Sequence, residues 1–284
     1  MTDLPVVGIP SWRHKVTWSG GAWDSEYGVQ QLGLLPLGKP AVTEDAEPAS
    51  TKIIGTLTEF LPVQYLLWVG HNAGLDDRFT WRCYADEARE DLVLTQADLE
   101  FWLPVYPKGS VPYGHPAWWT EKYTADEIAT IPSPLRPVWL DEPIGIRAFE
   151  IDVDVTASGI TEFAVGLLDI GLGTQLEAGF DYGAEYGYEA RRVTTIAPGG
   201  TTHRSDDPEP RTWNGTFSHV SHAVAMSTFF EQRRSGEPFL WLPRPDNPET
   251  WLKEAWFAEL VDPSPIARAY ADVDAVPLSH REVF

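Results

Sequence analysis

Residues 66–90, LLWVGHNAGLDDRFTWRCYADEARE, decide the fold. Leu66, Trp68 and Gly70 alternate with Leu67, Val69 and His71, and after Asn72-Ala73-Gly74 the alternation resumes with Phe79, Trp81 and Cys83 opposed to Thr80, Arg82 and Tyr84. A two-residue period is that of a pleated strand, whose successive side chains point to opposite faces. The stretch therefore predicts two strands of a β-sandwich joined by a polar turn, as in a hairpin. In that setting His71 is expected to cap the turn at Asn72 by hydrogen bonding, and Cys83 to be a buried packing residue.

Working outward, 52–57, 64–71, 79–85, 146–155 and 162–169 read as short strands separated by turns, the spacing of a sandwich. Residues 95–143 break the alternation with Pro, Trp and Tyr, as in WLPVYPKGSVPYGHPAWW, and read as a long loop with one short helix. Thr124-Ala125-Asp126-Glu127 fits a capping box, and Ile131-Pro132 stops that helix. Towards the N-terminus, strand-like stretches at 13–18 and 32–37 form a hairpin and an extended arm, closed by the polar stretch 44–50. Residues 173–210 read as loop, ending in Asp206-Asp207-Pro208-Glu209-Pro210. Beyond it come a strand at 212–219, a helix at 223–234 stopped by Gly236, a strand at 239–242 and a final edge strand in LSHREVF, 278–284.

The simplest assembly is mainly β with some α. A β-sandwich over 51–175 is inserted into a second α/β unit made from both chain ends, 1–50 plus 176–284, with 12–18 pairing to 278–284.

Composition narrows function. The 284 residues are 43% hydrophobic and 12% aromatic, with 13 Trp, enough apolar surface for a sizeable core. Forty-two acidic against 21 basic residues give a net charge of -21, which repels the phosphate backbone and anionic membrane surfaces, so nucleic acid is excluded as a partner. One cysteine precludes an internal disulfide framework. MTDLPVVGIP carries no basic segment followed by an apolar one, and no apolar run approaches about 18 residues, so cytoplasmic synthesis without a membrane span is expected.

Motifs for catalysis are sparse. There is no G-x-S-x-G, no H-E-x-x-H and no Walker A sequence, and Gly171-Leu172-Gly173 lacks the rest of a dinucleotide fingerprint. His219 and His222 share a face only if the segment is helical, which leaves zinc weakly supported. Asp152 and Asp154 lie on one sheet face, as a solvated surface or as oxygen ligands for calcium. No catalytic residue, cofactor or metal is assigned. Trp102, Tyr106, Tyr113, His115, Trp118 and Trp119 form the one constellation with a specific binding reading. Rings on a loop at the end of a sandwich can stack on the apolar face of a sugar, with Tyr113, His115, Trp118 and Trp119 as the candidate site. The alternative is that these rings pack against the sandwich or a neighbouring subunit.

Several patches, in order, resemble minor tail proteins of siphophages: GIPSWRHKVTWSGGAW, LLPLGKPAVTED, LLWVGHNAGLDDRFTWRCYADEARE, FAVGLLDIGLGTQLEAGFDYGAEYG, GGTTHRSDDPEPRTWNGTF, FFEQRRSGEPFLWLPRPDNPETW and LSHREVF. The resemblance implies a jelly-roll-like sandwich similar to carbohydrate-binding modules. It further implies a structural subunit of a tail tip or baseplate, located in the virion and assembled in the host cytoplasm. Its partners would be distal tail, hub and baseplate neighbours, copies of itself, and host surface polysaccharide. Two other readings remain beside it, a carbohydrate-binding adsorption protein and a virion glycoside hydrolase. The Trp-rich loop at 101–119 departs from the pattern, so its specificity is not inherited.

Overall fold

A computed structural model of the chain describes residues 4–35, 37–191, 194–196, 202–204, 208–261 and 265–284, with backbone alone at 194–196 and 202–204. The strands in chain order are β1 (Val6–Gly8), β2 (Val16–Ser19), β3 (Ala41–Val42), β4 (Ile53–His71), β5 (Arg78–Tyr84), β6 (Leu92–Glu100), β7 (Leu135–Asp154), β8 (Ala164–Gly171) and β9 (Thr174–Gln175). They continue as β10 (Glu185–Tyr188), β11 (Thr194–Ile196), β12 (Thr202–Arg204), β13 (Arg211–Ser221), β14 (Phe239–Leu242), β15 (Trp256–Leu260), β16 (Ala267–Arg268) and β17 (Val273–Glu282). The protein is mainly β, with antiparallel sheets and few helices. It divides into two compact units, Met1–Gln175 with Leu240–Trp256, and Leu176–Phe239 with Phe257–Phe284.

The first unit holds the sandwich. Its strand order is β3-β8-β4-β7-β5-β6, with β2 on the flank of β4. The long strands β4 and β7 pair from Ile53 opposite Ile151 to Val69 opposite Leu135, but the register breaks between Thr56 and Leu61 and again between Val63 and Tyr65. Such irregularities bend and twist a strand, here dividing one long ladder into two arms. β2, β5 and β6 flank one arm, and β3 and β8 flank the other. The core fills the space between them. Trp68 of one arm meets Phe79 of the other edge-on with centroids 5.2 Å apart, and Phe101 and Phe163 close around the same indole. Each such fully buried aromatic side chain contributes roughly 1.5–3 kcal/mol relative to exposure.

Phe79, Trp81 and Cys83 are buried as the alternation predicts, whereas 65–69 is buried on both faces. The pairing differs from a hairpin: β4 and β5 are not neighbours but lie on either side of β7. Alternation specifies which face a residue takes, not which strand lies beside it.

Other corrections follow from pairing and burial. The expected strand at 32–37 is not formed at its described residues, 32–35 and 37; Val29–Gly33 is a 3-10 helix. The stretch 95–143 is not all loop, since β6 runs into it and β7 begins within it. Residues 173–210 contain β9, β10 and the β11–β12 pair, while Asp206 and Asp207 lie outside the described residues. Most of the N-terminal arm lies with the sandwich, because β2 pairs with β4 and β3 with β8, and β2 does not meet 278–284. Only β1 joins another ladder in this unit, between β14 and β9.

In the second unit β13 pairs with β10 and β17, and β17 pairs also with β15 and β16. The C-terminal strand is therefore central, not an edge. Trp213 on β13 is buried and stacks between Phe217 and His280, with centroids at 5.7 and 5.3 Å. The helical segment before β14 is one α-turn (His222–Val224), a π-helix (Ala225–Phe230) and an α-helix (Glu231–Ser235), ended by Gly236 at φ 66°. That left-handed conformation is the one glycine adopts without a Cβ penalty.

Candidate functional site

The connection from β6 to β7 carries the aromatic cluster, and it splits into an inner and an outer half. The inner half is anchored. Phe101 and Trp102 are buried, and the Trp102 indole donates to the Ala73 carbonyl at 2.8 Å. The backbone amides of Val105 and Tyr106 both donate to the Glu121 carbonyl, closing the base of the loop. Lys253 donates to the Val105 carbonyl at 2.6 Å, and its ammonium lies 5.1 Å from the centre of the Tyr106 ring.

The predicted capping box is formed. Thr124 Oγ1 accepts from the Glu127 amide, and Glu127 Oε2 accepts from the Thr124 amide at 2.7 Å, starting the short helix Ala125–Ile128. The Glu127 carboxylate also accepts from the Tyr106 hydroxyl. That hydrogen bond raises the Tyr106 pKa to about 12, and the Thr124 amide lowers that of Glu127.

The outer half is displayed. His115 caps the 3-10 turn Pro116–Trp118 by accepting the Ala117 amide at Nδ1, 3.1 Å away, and this leaves Nε2 as the ring's donor in the neutral form. Tyr113 stands edge-on to Trp118 with centroids 5.5 Å apart, and Trp118 is perpendicular to Trp119 at 6.4 Å. Tyr113 and Trp119 are 82% and 83% exposed. The four candidate residues thus lie together on one short stretch, whereas Trp102 and Tyr106 belong to the packing beneath. Perpendicular rings with a phenol, an indole and an imidazole donor form a surface suited to a flat, weakly polar, hydroxyl-bearing ligand.

His71 does not cap the turn. It is buried against Phe101 and Trp102, neither ring nitrogen has a hydrogen-bond partner among the described residues, and burial together with the Arg136 cation pushes its pKa down to about 3. The turn is fastened by Asn72 instead, whose amide donates to the Glu162 carbonyl and accepts from the Ala164 amide. Cys83 is buried and its thiol pKa is raised by desolvation, the opposite of an activated nucleophile.

Asp152 pairs with Arg82 and Lys52, and Asp154 accepts from Thr156, so both carboxylates are engaged on the outer sheet face. His219 is exposed while His222 Nδ1 lies 2.7 Å from Asp274, and no group of three or more ligand-type side chains converges among the described residues. No helix among them is long and apolar enough to cross a membrane.

One buried polar centre went unpredicted. Asp169 on β8 accepts from Tyr65 at 3.0 Å, from the Ser11 hydroxyl and from the Ile170 amide, with the Arg13 guanidinium 4.0 Å away. Burial raises its pKa against the pull of Arg13, and the group joins the N-terminal segment to the sandwich.

No family model and no curated protein matches this chain. Among solved structures, similarity is found to the family 32 carbohydrate-binding module of Clostridium perfringens NanJ in complex with galactose, at 12% identity over 60% of this chain and 99% of that one, with a TM-score of 0.37. A family 32 module from a C. perfringens family 31 glycoside hydrolase is similar at 12% identity, covering 58% and 96%, with a TM-score of 0.34. A Streptococcus pneumoniae fucose binding module is similar at 12% identity, covering 55% and 89%, with a TM-score of 0.34.

Proposed function

We propose that this chain is a non-catalytic binding protein whose sandwich presents Tyr113, His115, Trp118 and Trp119 to a neutral surface glycan. The observation that carries the reading is the exposure of Tyr113 and Trp119, each above four-fifths, on a loop whose base is buried and hydrogen-bonded. Leaving two large rings in water forfeits the stabilisation of burying them, so their display is better explained by an occupant than by packing. None of the four side chains is a carboxylate, an ammonium or a guanidinium, which fits sugar hydroxyls and a ring's apolar face. A glycan array with the intact chain tests this. Binding that falls about tenfold or more in Trp118→Ala/Trp119→Ala supports the site, since sequence-tolerant aromatic stacking contributes on that scale. Unchanged binding in the double variant removes these residues from it.

The setting we propose is the one implied by the sequence resemblance, a tail-tip or baseplate subunit of a siphophage virion. There the second unit would meet distal tail, hub or baseplate neighbours and other copies of the chain, and the glycan would belong to the host surface. Mass spectrometry of purified virions tests the location, and absence of the chain from them would refute it.

A further inference from the structure

The second unit contains a cavity of about 530 Å³ between the helical segment, residues 265–268 and β17. That volume is within the usual range of small-molecule sites, roughly 300–1,000 Å³. One wall is apolar. Met226 and Phe230, half-exposed on the π-helix, face it together with Pro265 and Ile266. A π-turn is rare and recurs at functional sites.

The opposite wall is polar and incompletely paired. Asp274 is 2% exposed; one carboxylate oxygen lies 2.7 Å from His222 Nδ1, while Oδ1 has no hydrogen-bond partner among the described residues and lies 3.9 Å from Arg268 Nε. Arg233 donates to the Pro277 carbonyl at 2.5 Å, but its Nε is buried with no partner among the described residues. A buried acceptor and a buried donor, both unmet, therefore belong to residues lining one cavity. A hydroxyl serves both, because it donates and accepts at once. Arg234 is paired with Glu231 at 3.2 Å, and Arg233 and Arg268 against the single carboxylate of Asp274 leave the lining with an excess of one guanidinium in a chain whose net charge is -21. Guanidinium groups in that excess select a carboxylate or similar anion.

We propose that this cavity binds a monosaccharide-sized sugar acid. Its ring face rests on Phe230 and Met226, a hydroxyl bridges Asp274 and Arg233, and its carboxylate pairs with Arg268. A simple apolar carboxylate would leave Asp274 Oδ1 unmet, and a neutral sugar would leave the one excess guanidinium charge unmatched. The site is separate from the aromatic loop and does not depend on the reading of that loop.

Titration calorimetry on the intact chain tests it with three probes: glucuronate, glucose and cyclohexanecarboxylate. Glucuronate should bind about tenfold or more tightly than either of the others, the discrimination expected when a site's buried polar and charged groups are left unpaired by the wrong ligand. Arg268→Ala should weaken glucuronate about tenfold, and Asp274→Asn likewise. The Arg268 side chain is 58% exposed, so its variant keeps the readout valid should Asp274→Asn unfold. Trp119→Ala should leave glucuronate binding unchanged, which separates this cavity from the loop. Absence of saturable glucuronate binding, equal binding in Arg268→Ala, loss of binding in Trp119→Ala, or equal affinity for glucose or cyclohexanecarboxylate would each overturn the proposal.

Discussion

Residues 101–106 and 113–119 belong to one connection and are equally rich in aromatic rings, yet they have opposite fates. Phe101 and Trp102 disappear into the sandwich beside Trp68, while Tyr113 and Trp119 stand in water. The difference lies in what the neighbouring backbone needs. Trp102 supplies the donor for the Ala73 carbonyl where the chain leaves β4, and Phe101 plugs the end of the core between the arms. Tyr113 and Trp119 have no hydrogen bond to a backbone group among the described residues, and the aromatic neighbour they meet is Trp118, on their own stretch. A ring held by structure and a ring left for a ligand are thus told apart by their partners, not by residue type.

The strongest way to break this comparison is at Trp102. Trp102→Ala should destabilise the first unit by about 3–5 kcal/mol, from lost burial and the cavity left behind. It also leaves the Ala73 carbonyl without its donor. Urea denaturation followed by tryptophan fluorescence measures this, and a loss below about 1 kcal/mol would mean that the inner half is not the anchor described.

A second effect concerns acid. His71, under the inner half of the loop, and His280, in the second unit, both have pKa values pushed down to about 3, chiefly by burial. Their ordinary value is about 6.5. Above that, folded and unfolded forms are both neutral and the two residues impose no pH dependence. Between 6.5 and 3 the unfolded chain takes protons that the folded chain refuses. Stability should therefore fall as pH drops through this window, approaching about 1.4 kcal/mol per pH unit for each histidine. Denaturation midpoints measured from pH 7 to pH 4 check the sign. His71→Phe should remove one share of the slope and leave the share of His280; an unchanged slope would mean that His71 is not held neutral.

The inner half of the site was only partly legible in the sequence. Thr124 and Glu127 announced their helix start because a capping box is a local device, and Gly236 announced a helix end for the same reason. Phe79, Trp81 and Cys83 were legible because burial on one face writes a two-residue period. β6 wrote none. It lies at the edge of the sheet with much of both faces exposed, so LVLTQADLE carries no apolar alternation. The neighbours of β4 were hidden because strand order depends on chain closure at a distance. So was the Asp169 centre, whose Ser11 partner is 158 residues away. The cavity around Asp274 was hidden likewise, as its walls come from segments with no shared motif. The outer rings are legible as a loop, but the sequence does not separate their exposure from the burial of Trp102.

The smallest expected effect on stability is the most discriminating. Trp119 is 83% exposed, and its one aromatic neighbour among the described residues, Trp118, meets it at an angle of 89°. Trp119→Ala should change the denaturation midpoint by no more than about 0.5 kcal/mol, the range of surface substitutions remote from caps and cores. The same variant should lose glycan affinity if the outer half is a binding surface. A variant that is as stable as the parent and binds less places the role of Trp119 in recognition. One that is destabilised by about 2 kcal/mol places it in packing, as for Trp102, and removes the distinction between the two halves. Measuring stability and binding on one preparation decides between these outcomes, because only a ring without a structural partner can lose one quantity and keep the other.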